Sequence, residues 1–317
     1  MPGGVVNVVV TGGSGTIGGA VVQSLIALGC HIVIAGRDGV AVSAAASHFS
    51  SLFPAKTSGG WAKGLALDVN SAASVRAFVA DLDAVFPEGI DTLVNNAAVV
   101  SDTLVFTGDG HELQWSTNTL GYFSVMSALL PALERGAQQP GRVASRIVNV
   151  ASDFAGDLAL DDLDWTRRKY SSHLAYRQSK AADRMLSAAA AAALAASAAA
   201  GAPPIAVHAC HPGVIGSKVY NGLMGGTIVA KWRDALRNGL DVQVVALATS
   251  REASRAAELA GSGRYWARVQ PKACRFASDA ERTRRTELVT TLAAQHIARF
   301  GAPPHPRLLG AADRREL

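Results

Sequence analysis

The chain has 317 residues, 49% of them hydrophobic, with a formal net charge of +5 and an isoelectric point near 9.3. That length and apolar share permit a large buried core in one large domain or two small ones. Three cysteines, far apart at 30, 210 and 274, exclude a disulfide framework and a C-x-x-C site, and favour a reducing, cytoplasmic location.

Met-Pro-Gly-Gly leads straight into the apolar run Val5–Val10, so no secretory leader is expected and the run reads as a first strand. "VTGGSGTIGG" follows, and then a helical pattern of Ile17, Val21, Val22, Leu25 and Leu28. Gly13-x-Gly15-x-x-Gly18 has dinucleotide-site spacing. Such glycines serve either a bare turn or a pyrophosphate held at a helix N-terminus by free N–H groups and a partial positive charge; the flanking strand and helix favour the phosphate.

A second strand, His31–Ala35, ends in "IAGRD". An acidic residue at this strand tip selects NAD by binding both ribose hydroxyls. Gly36 occupies that position, and Arg37 offers a guanidinium suited to the 2′-phosphate of NADP. Asp38 is the competing carboxylate, which would mimic the NAD pattern if the turn were shifted by one residue.

Further along, strands are expected at Gly64–Leu67, Ile90–Asn95, Ser145–Ala151, Ile205–Ala209 and Arg264–Trp266, and helices at Ser71–Phe86, Glu112–Leu133, Ala175–Ala200 and Asp279–Arg299. Asn118 falls inside the second of these helices, where asparagine is a poor former and needs a reason. Ser152 stands at a strand tip. "YRQSK" puts Tyr176 and Lys180 at i and i+4 on one helix face, where an ammonium lowers the phenol pKa toward a proton-transferring role. The alanine-rich stretch Leu186–Gly201 reads as a soluble helix in close packing, not a membrane span. His208 and His211 have no third ligand nearby and read as structural, so no metal is expected.

Strand–helix alternation predicts an α/β fold: a doubly wound parallel sheet of about seven strands, with helices on both faces and ligands beyond the C-terminal strand ends. A single Rossmann-type domain over residues 1–317 is expected. Residues 267–317 form its C-terminal helix and tail, and the Pro/Gly-rich part from Gly301 is open to disorder. The basic excess sits in "RTRR" (282–285) and at Arg314 and Arg315; with aromatics at 6%, it reads as solvated surface and not as a nucleic-acid stripe.

Taken in order, these motifs resemble the short-chain dehydrogenase/reductase family over about residues 5 to 266. The resemblance places a catalytic tetrad on Asn118, Ser152, Tyr176 and Lys180, and a cofactor phosphate loop on Thr11, Gly12, Gly13, Ser14, Gly15, Thr16, Ile17 and Gly18. It implies further cofactor contacts at Arg37, at Asp68 and Val69 of "LDV", at Asn95, Asn96 and Ala97 of "NNAA", and at Pro212, Gly213, Val214 and Ser217 of "HPGVIGS". Departures are Thr16, where the family pattern has glycine, Ala98 in place of the last glycine of NNAG, and Ser217 in place of threonine. The long gap from Ser152 to Tyr176, holding "LDDLDW", looks like the retinol-dehydrogenase-like subgroup.

The resemblance implies hydride transfer between NADP(H) and a small-molecule carbonyl or alcohol. Tyr176 exchanges the proton, Ser152 polarises the carbonyl, Lys180 holds the ribose and tunes Tyr176, and Asn118 holds a relay water. It also implies a substrate lid at residues 218–232. The lid's Val219, Leu223, Met224, Ile228 and Val229 either favour an apolar substrate or simply pack on the core. Pairing of two copies through the helices Glu112–Leu133 and Ala175–Ala200 is implied too, although the alanine face suits the sheet equally. The alternative to an enzyme is a catalytically idle NADP-binding regulator or scaffold, which has no evident need for an intact tetrad.

Overall fold

The computed structural model describes residues 5–52, 59–213, 262–267 and 270–310. Among the described residues, eight strands form one sheet in the order β3-β2-β1-β4-β5-β6-β7-β8. They are β1 Asn7–Thr11, β2 His31–Gly36, β3 Trp61–Ala66, β4 Thr92–Asn95, β5 Ser145–Val150, β6 Ile205–His211, β7 Tyr265–Ala267 and β8 Gln270–Lys272. Strands β1 to β7 run parallel and β8 pairs antiparallel with β7. The sheet therefore has one strand more than the seven expected. Gln270-Pro271-Lys272 is polar and exposed, and a proline survives in a strand mainly at an edge.

The principal helices among the described residues are α1 Thr16–Ala27, α2 Gly39–Leu52, α3 Ala72–Val85, α4 Gly121–Ala137, α5 Ser172–Ala199 and α6 Arg282–Phe300. Side chains alternate across a strand, so neighbouring valines enter different layers. Val8, Val10, Ile32 and Ile34 pack with Val21, Leu25 and Val42 of α1 and α2; Val9, Val33, Leu93 and Ile147 pack with residues of α3 to α6, among them Phe78, Met126, Met185 and Leu292. Both faces are covered, which is why these strands read as continuous apolar runs. The alanines at 181, 182, 190 and 191 are buried in the second layer. β1 lies between β2 and β4, and the chain winds away from it in both directions, opening a crevice at the C-terminal strand ends.

The helix expected at Glu112–Leu133 is not continuous. A short turn, Leu113–Trp115, runs into a π-helical turn, Ser116–Leu120, before α4 begins. Asn118 sits in that turn, and π turns are common at functional sites.

Residues 301–310, open to disorder on sequence grounds, are docked on the rest of the chain. Gly301 closes α6 with φ 68°, and Arg307 donates to Glu134 Oε1 (2.6 Å), Pro203 O (2.8 Å) and Ser197 Oγ (2.9 Å) while Leu308 and Leu309 are buried. The same segment occupies the two long helices. Trp115 Nε1 donates to Gln295, His296 bonds Ser124, and the His305 N–H donates to Ser127. From Gly121 to Leu133 only Ala128 and Pro131 are not buried, so α4 offers little free surface for pairing.

Candidate active site

A cleft of about 890 Å³ opens where the strands β1, β2, β4, β5 and β6 end. Its first wall is the glycine loop. Gly12 has φ 65°, in the left-handed region. Gly18 is buried where a Cβ would stand 2.7 Å from Gly13 Cα. Helix α1 starts behind Gly15 with no side chain capping its N-terminus, so its first N–H groups point out of an exposed turn, Ser14–Thr16. Thr11 and Asn96 brace the loop. Thr11 Oγ1 accepts from the Asn96 and Ala97 N–H groups, and Asn96 Nδ2 donates to the carbonyls of Thr11 and Gly12. An uncapped helix N-terminus under a glycine turn fits a dinucleotide pyrophosphate.

The second wall settles the geometry of "GRD". Asp38 Oδ1 accepts from the N–H groups of Val40 and Ala41 at 2.9 and 3.0 Å, so it caps α2. Arg37 is exposed and lines the cleft. A Cβ on Gly36 would stand 2.9 Å from Val42 Cγ1.

The third wall carries the polar chemistry. Ser152, just beyond β5, lines the cleft and accepts from the Phe154 N–H at 3.1 Å. Ser171 caps α5 by accepting from the Leu174 N–H, and this helix presents Tyr176 and Lys180 to the same cleft. Lys180 Nζ lies 5.8 Å from the Tyr176 ring centroid and 5.1 Å from that of Tyr122; it donates to Val150 O at 2.9 Å and to Asp183 Oδ2 at 2.8 Å. Burial pushes the Tyr176 phenol above the usual tyrosine range, although Lys180 and Ser152 pull it down. The expected lowering by Lys180 is therefore outweighed, by burial and by a second charge, Asp183, which the i, i+4 spacing does not contain. Burial alone would push Lys180 down, but Asp183 holds it up.

The remaining predicted residues divide clearly. Val69, Asn96, Ala97, Pro212 and Gly213 line the cleft together with the loop residues Thr11, Gly12, Ser14, Gly15, Thr16 and Ile17. Gly13, Gly18, Asp68, Asn95 and Asn118 are not among the lining residues. Asn95 is buried and donates to Asn149, and Asp68 accepts from the Asn70 N–H. Asn118 accepts from the Val99 N–H and donates to Val99 O and Ser179 Oγ, tying the π turn to the loop after β4. Val214, Ser217 and the lid at 218–232 lie outside the described residues. His208 and His211 fall on opposite faces of β6; His211 lines the cleft, while His208 accepts from Trp266 Nε1. Phe154 and Val99 also line it, and neither stands in a motif that marks it in the sequence.

Comparisons with known proteins agree with this architecture. The short chain dehydrogenase family pattern matches residues 6–224, and the chain belongs to that family of nicotinamide-dependent oxidoreductases. Polyprenol dehydrogenase of Danio rerio is 35% identical over 227 residues, which is 70% of this chain and 66% of that protein. Retinol dehydrogenase 13 of Homo sapiens is 32% identical over 224 residues, 69% of this chain and 62% of that protein. These relatives support a retinol-dehydrogenase-like subgroup, and the chain matches somewhat less than two thirds of their length. A solved structure described as a putative uncharacterized protein from Mycobacterium Paratuberculosis superposes with a TM-score of 0.67 at 27% identity, covering 95% of this chain and 94% of that one.

Proposed function

We propose that the chain is an NADP(H)-dependent oxidoreductase acting on the carbonyl or alcohol group of an apolar small molecule. The observation that carries this reading is the meeting of Ser152, Tyr176 and Lys180 in one cleft with the glycine loop and Arg37. Residues Ser14 to Ile17 at the start of α1 would hold the pyrophosphate, Arg37 the 2′-phosphate, and Lys180 the nicotinamide ribose. The bound nicotinamide supplies hydride exchange with a carbon of the substrate. Ser152 donates a hydrogen bond to the substrate oxygen, and Tyr176 gives that oxygen its proton in reduction or takes it in oxidation. Asn118 fixes the π turn and the loop after β4 that together bound the cleft.

The apolar preference rests on Val99, Phe154 and Val150 in the cleft wall and on relatives whose names refer to polyprenol and retinol. On this reading the whole chain acts as one Rossmann-type unit. Its three cysteines, which form no disulfide, suit the cytoplasm. No helix among the described residues is long and apolar enough to cross a membrane. A nucleic-acid role has little support: Arg282 pairs with Asp279, Arg284 with Glu281, and Arg285 donates to the Phe276 and Ser278 carbonyls.

A panel of apolar and polar aldehydes, ketones and alcohols, followed by nicotinamide absorbance with each cofactor, tests the reading. Turnover of apolar members with NADPH is expected. Binding of NADPH with no turnover across the panel would favour the idle regulator instead.

A further inference from the structure

Lys180 does not enter the cleft as an isolated cation. Its ammonium and the Asp183 carboxylate are both sealed from solvent, at 2% and 0% side-chain exposure, and meet at 2.8 Å. Thr119 Oγ1, from the π turn, donates to the other carboxylate oxygen at 3.1 Å. Asp183 follows Lys180 by three residues and Tyr176 by seven, so all three lie on one stripe of α5. Apart from neutral polar residues such as Ser179 and Ser187, the latter bonded to Asn149 of β5, the other buried residues of this stretch of α5 are apolar, among them Ala181, Ala182, Met185 and Leu186. A buried ion pair gives little net stability over an apolar replacement. A carboxylate at this place therefore calls for a reason other than packing.

We propose, on the reading of Tyr176 as the proton-exchanging group, that Asp183 is a positioning residue that holds Lys180 and offsets its charge, so that the Tyr176–Lys180 pair keeps its proton to higher pH. In a dry site, a cation beside a phenol favours phenolate, and an anion favours phenol. Lys180 alone would leave a net positive charge against Tyr176; with Asp183 the charges sum to zero. Among the described residues, the other titratable group against the pair is Tyr122 of α4, with Cys210 of β6 beside Tyr122 in turn; both are buried and neutral in their ordinary forms. Thr119 contributes only a hydroxyl. The shifts run in the same direction, for Asp183 opposes the lowering of the Tyr176 phenol by Lys180. Tyr176 then stays in its proton-donating form at neutral and mildly alkaline pH. That suits carbonyl reduction and restrains alcohol oxidation, which needs the phenolate. Because the two groups titrate as a unit, the expected displacement holds whichever of them releases the proton.

Two measurements test this on the full chain. One is the pH dependence of kcat/KM for carbonyl reduction. The other is phenolate absorbance without cofactor, taken as the difference between each protein and the same protein carrying Tyr176→Phe. Asp183→Asn keeps the volume and can turn its single amide oxygen to Lys180, leaving its NH2 to donate to Thr119 Oγ1, whose own hydroxyl can donate to Ser179 O; Asp183→Ser is the second neutral variant, and Asp183→Glu restores the charge. In both neutral variants the alkaline limb and the Tyr176 absorbance step should move down by about one pH unit, while Asp183→Glu should stay near the wild type. Unmoved limbs in both neutral variants, with or without a fall in kcat, would overturn the proposal and leave Asp183 a purely structural residue. Near-normal turnover in Tyr176→Phe would instead overturn the proton-exchange reading, and the absorbance titration would still decide the role of Asp183.

Discussion

Gly18 is seated against the backbone of Gly13: a Cβ added at 18 would lie 2.7 Å from Gly13 Cα, and closer still to the Gly12 carbonyl oxygen. Both of these atoms are backbone and cannot swing aside, and Asn96 Nδ2 stands only 2.8 Å away. Gly18→Ala should therefore lower stability by about 1–3 kcal/mol and weaken nicotinamide cofactor binding by roughly tenfold or more. Gly15→Ala, at an exposed position where the nearest atom is 3.2 Å away, should do less of both. Thermal melts and cofactor fluorescence titrations check the pair, and equal behaviour of the two variants would contradict this account of the loop.

Much of this loop was legible in the sequence, because glycine spacing and the strand–helix flanks are local. The Tyr176–Lys180 spacing was legible for the same reason. Other features depend on distant partners. Trp115 meets Gln295 across 180 positions and Arg307 meets Glu134 across 173, so no window of sequence shows that the tail covers α4. Asp38 and Arg37 are neighbours whose roles separate only once α2 is seen to start behind them. The π turn at Ser116–Leu120 leaves the apolar periodicity of a normal helix nearly intact. The raised Tyr176 phenol reflects burial and Asp183, neither of which the i, i+4 spacing contains.

Cofactor choice should depend on Arg37. With Asp38 engaged as a helix cap, Arg37→Ala should reduce kcat/KM with NADPH by about ten- to a hundredfold, the scale of a lost charge-assisted contact, while changing kcat/KM with NADH little. Arg37→Glu should reverse the preference. An acid at Gly36 is a poorer test, because its side chain would first have to displace Val42. A wild type that prefers NADH would refute the assignment.

Stability should fall in acid through His208. Burial, reinforced by the charges of Arg146 and Arg264, lowers its pKa from 6.5 to about 3. The unfolded chain therefore binds the extra proton: this contribution is fully present above about pH 6.5 and is lost as pH falls toward 3. Asp91, pushed up to about 6 by burial, acts in the opposite direction between its ordinary value and 6. The difference between His208→Gln and the wild type isolates the histidine. The variant should gain on the wild type below pH 6.5, by up to about 3 kcal/mol at pH 4. A stability difference that is constant with pH would show that His208 is not buried as a neutral ring.

Oligomeric state should follow from the docked C-terminal segment. Since α4 is covered by α6 and the tail, light scattering should return the 32.7 kDa mass of one chain. Arg299 pins the segment to the π turn, donating to Asp109 and to Ser116 Oγ from a nearly sealed position. Arg299→Ala should lower the melting temperature and expose apolar surface to dye binding. A stable dimer of the intact chain would show that pairing uses another face.

The central claim is that Tyr176 exchanges the proton in a nicotinamide-dependent reaction, and single-turnover oxidation of NADPH with a reactive apolar aldehyde tests it most directly. Tyr176→Phe removes one oxygen atom and should cut the hydride-transfer rate by about a hundredfold or more, with NADPH affinity close to that of the wild type. A Tyr176→Phe protein that turned over at a near-normal rate would contradict the account.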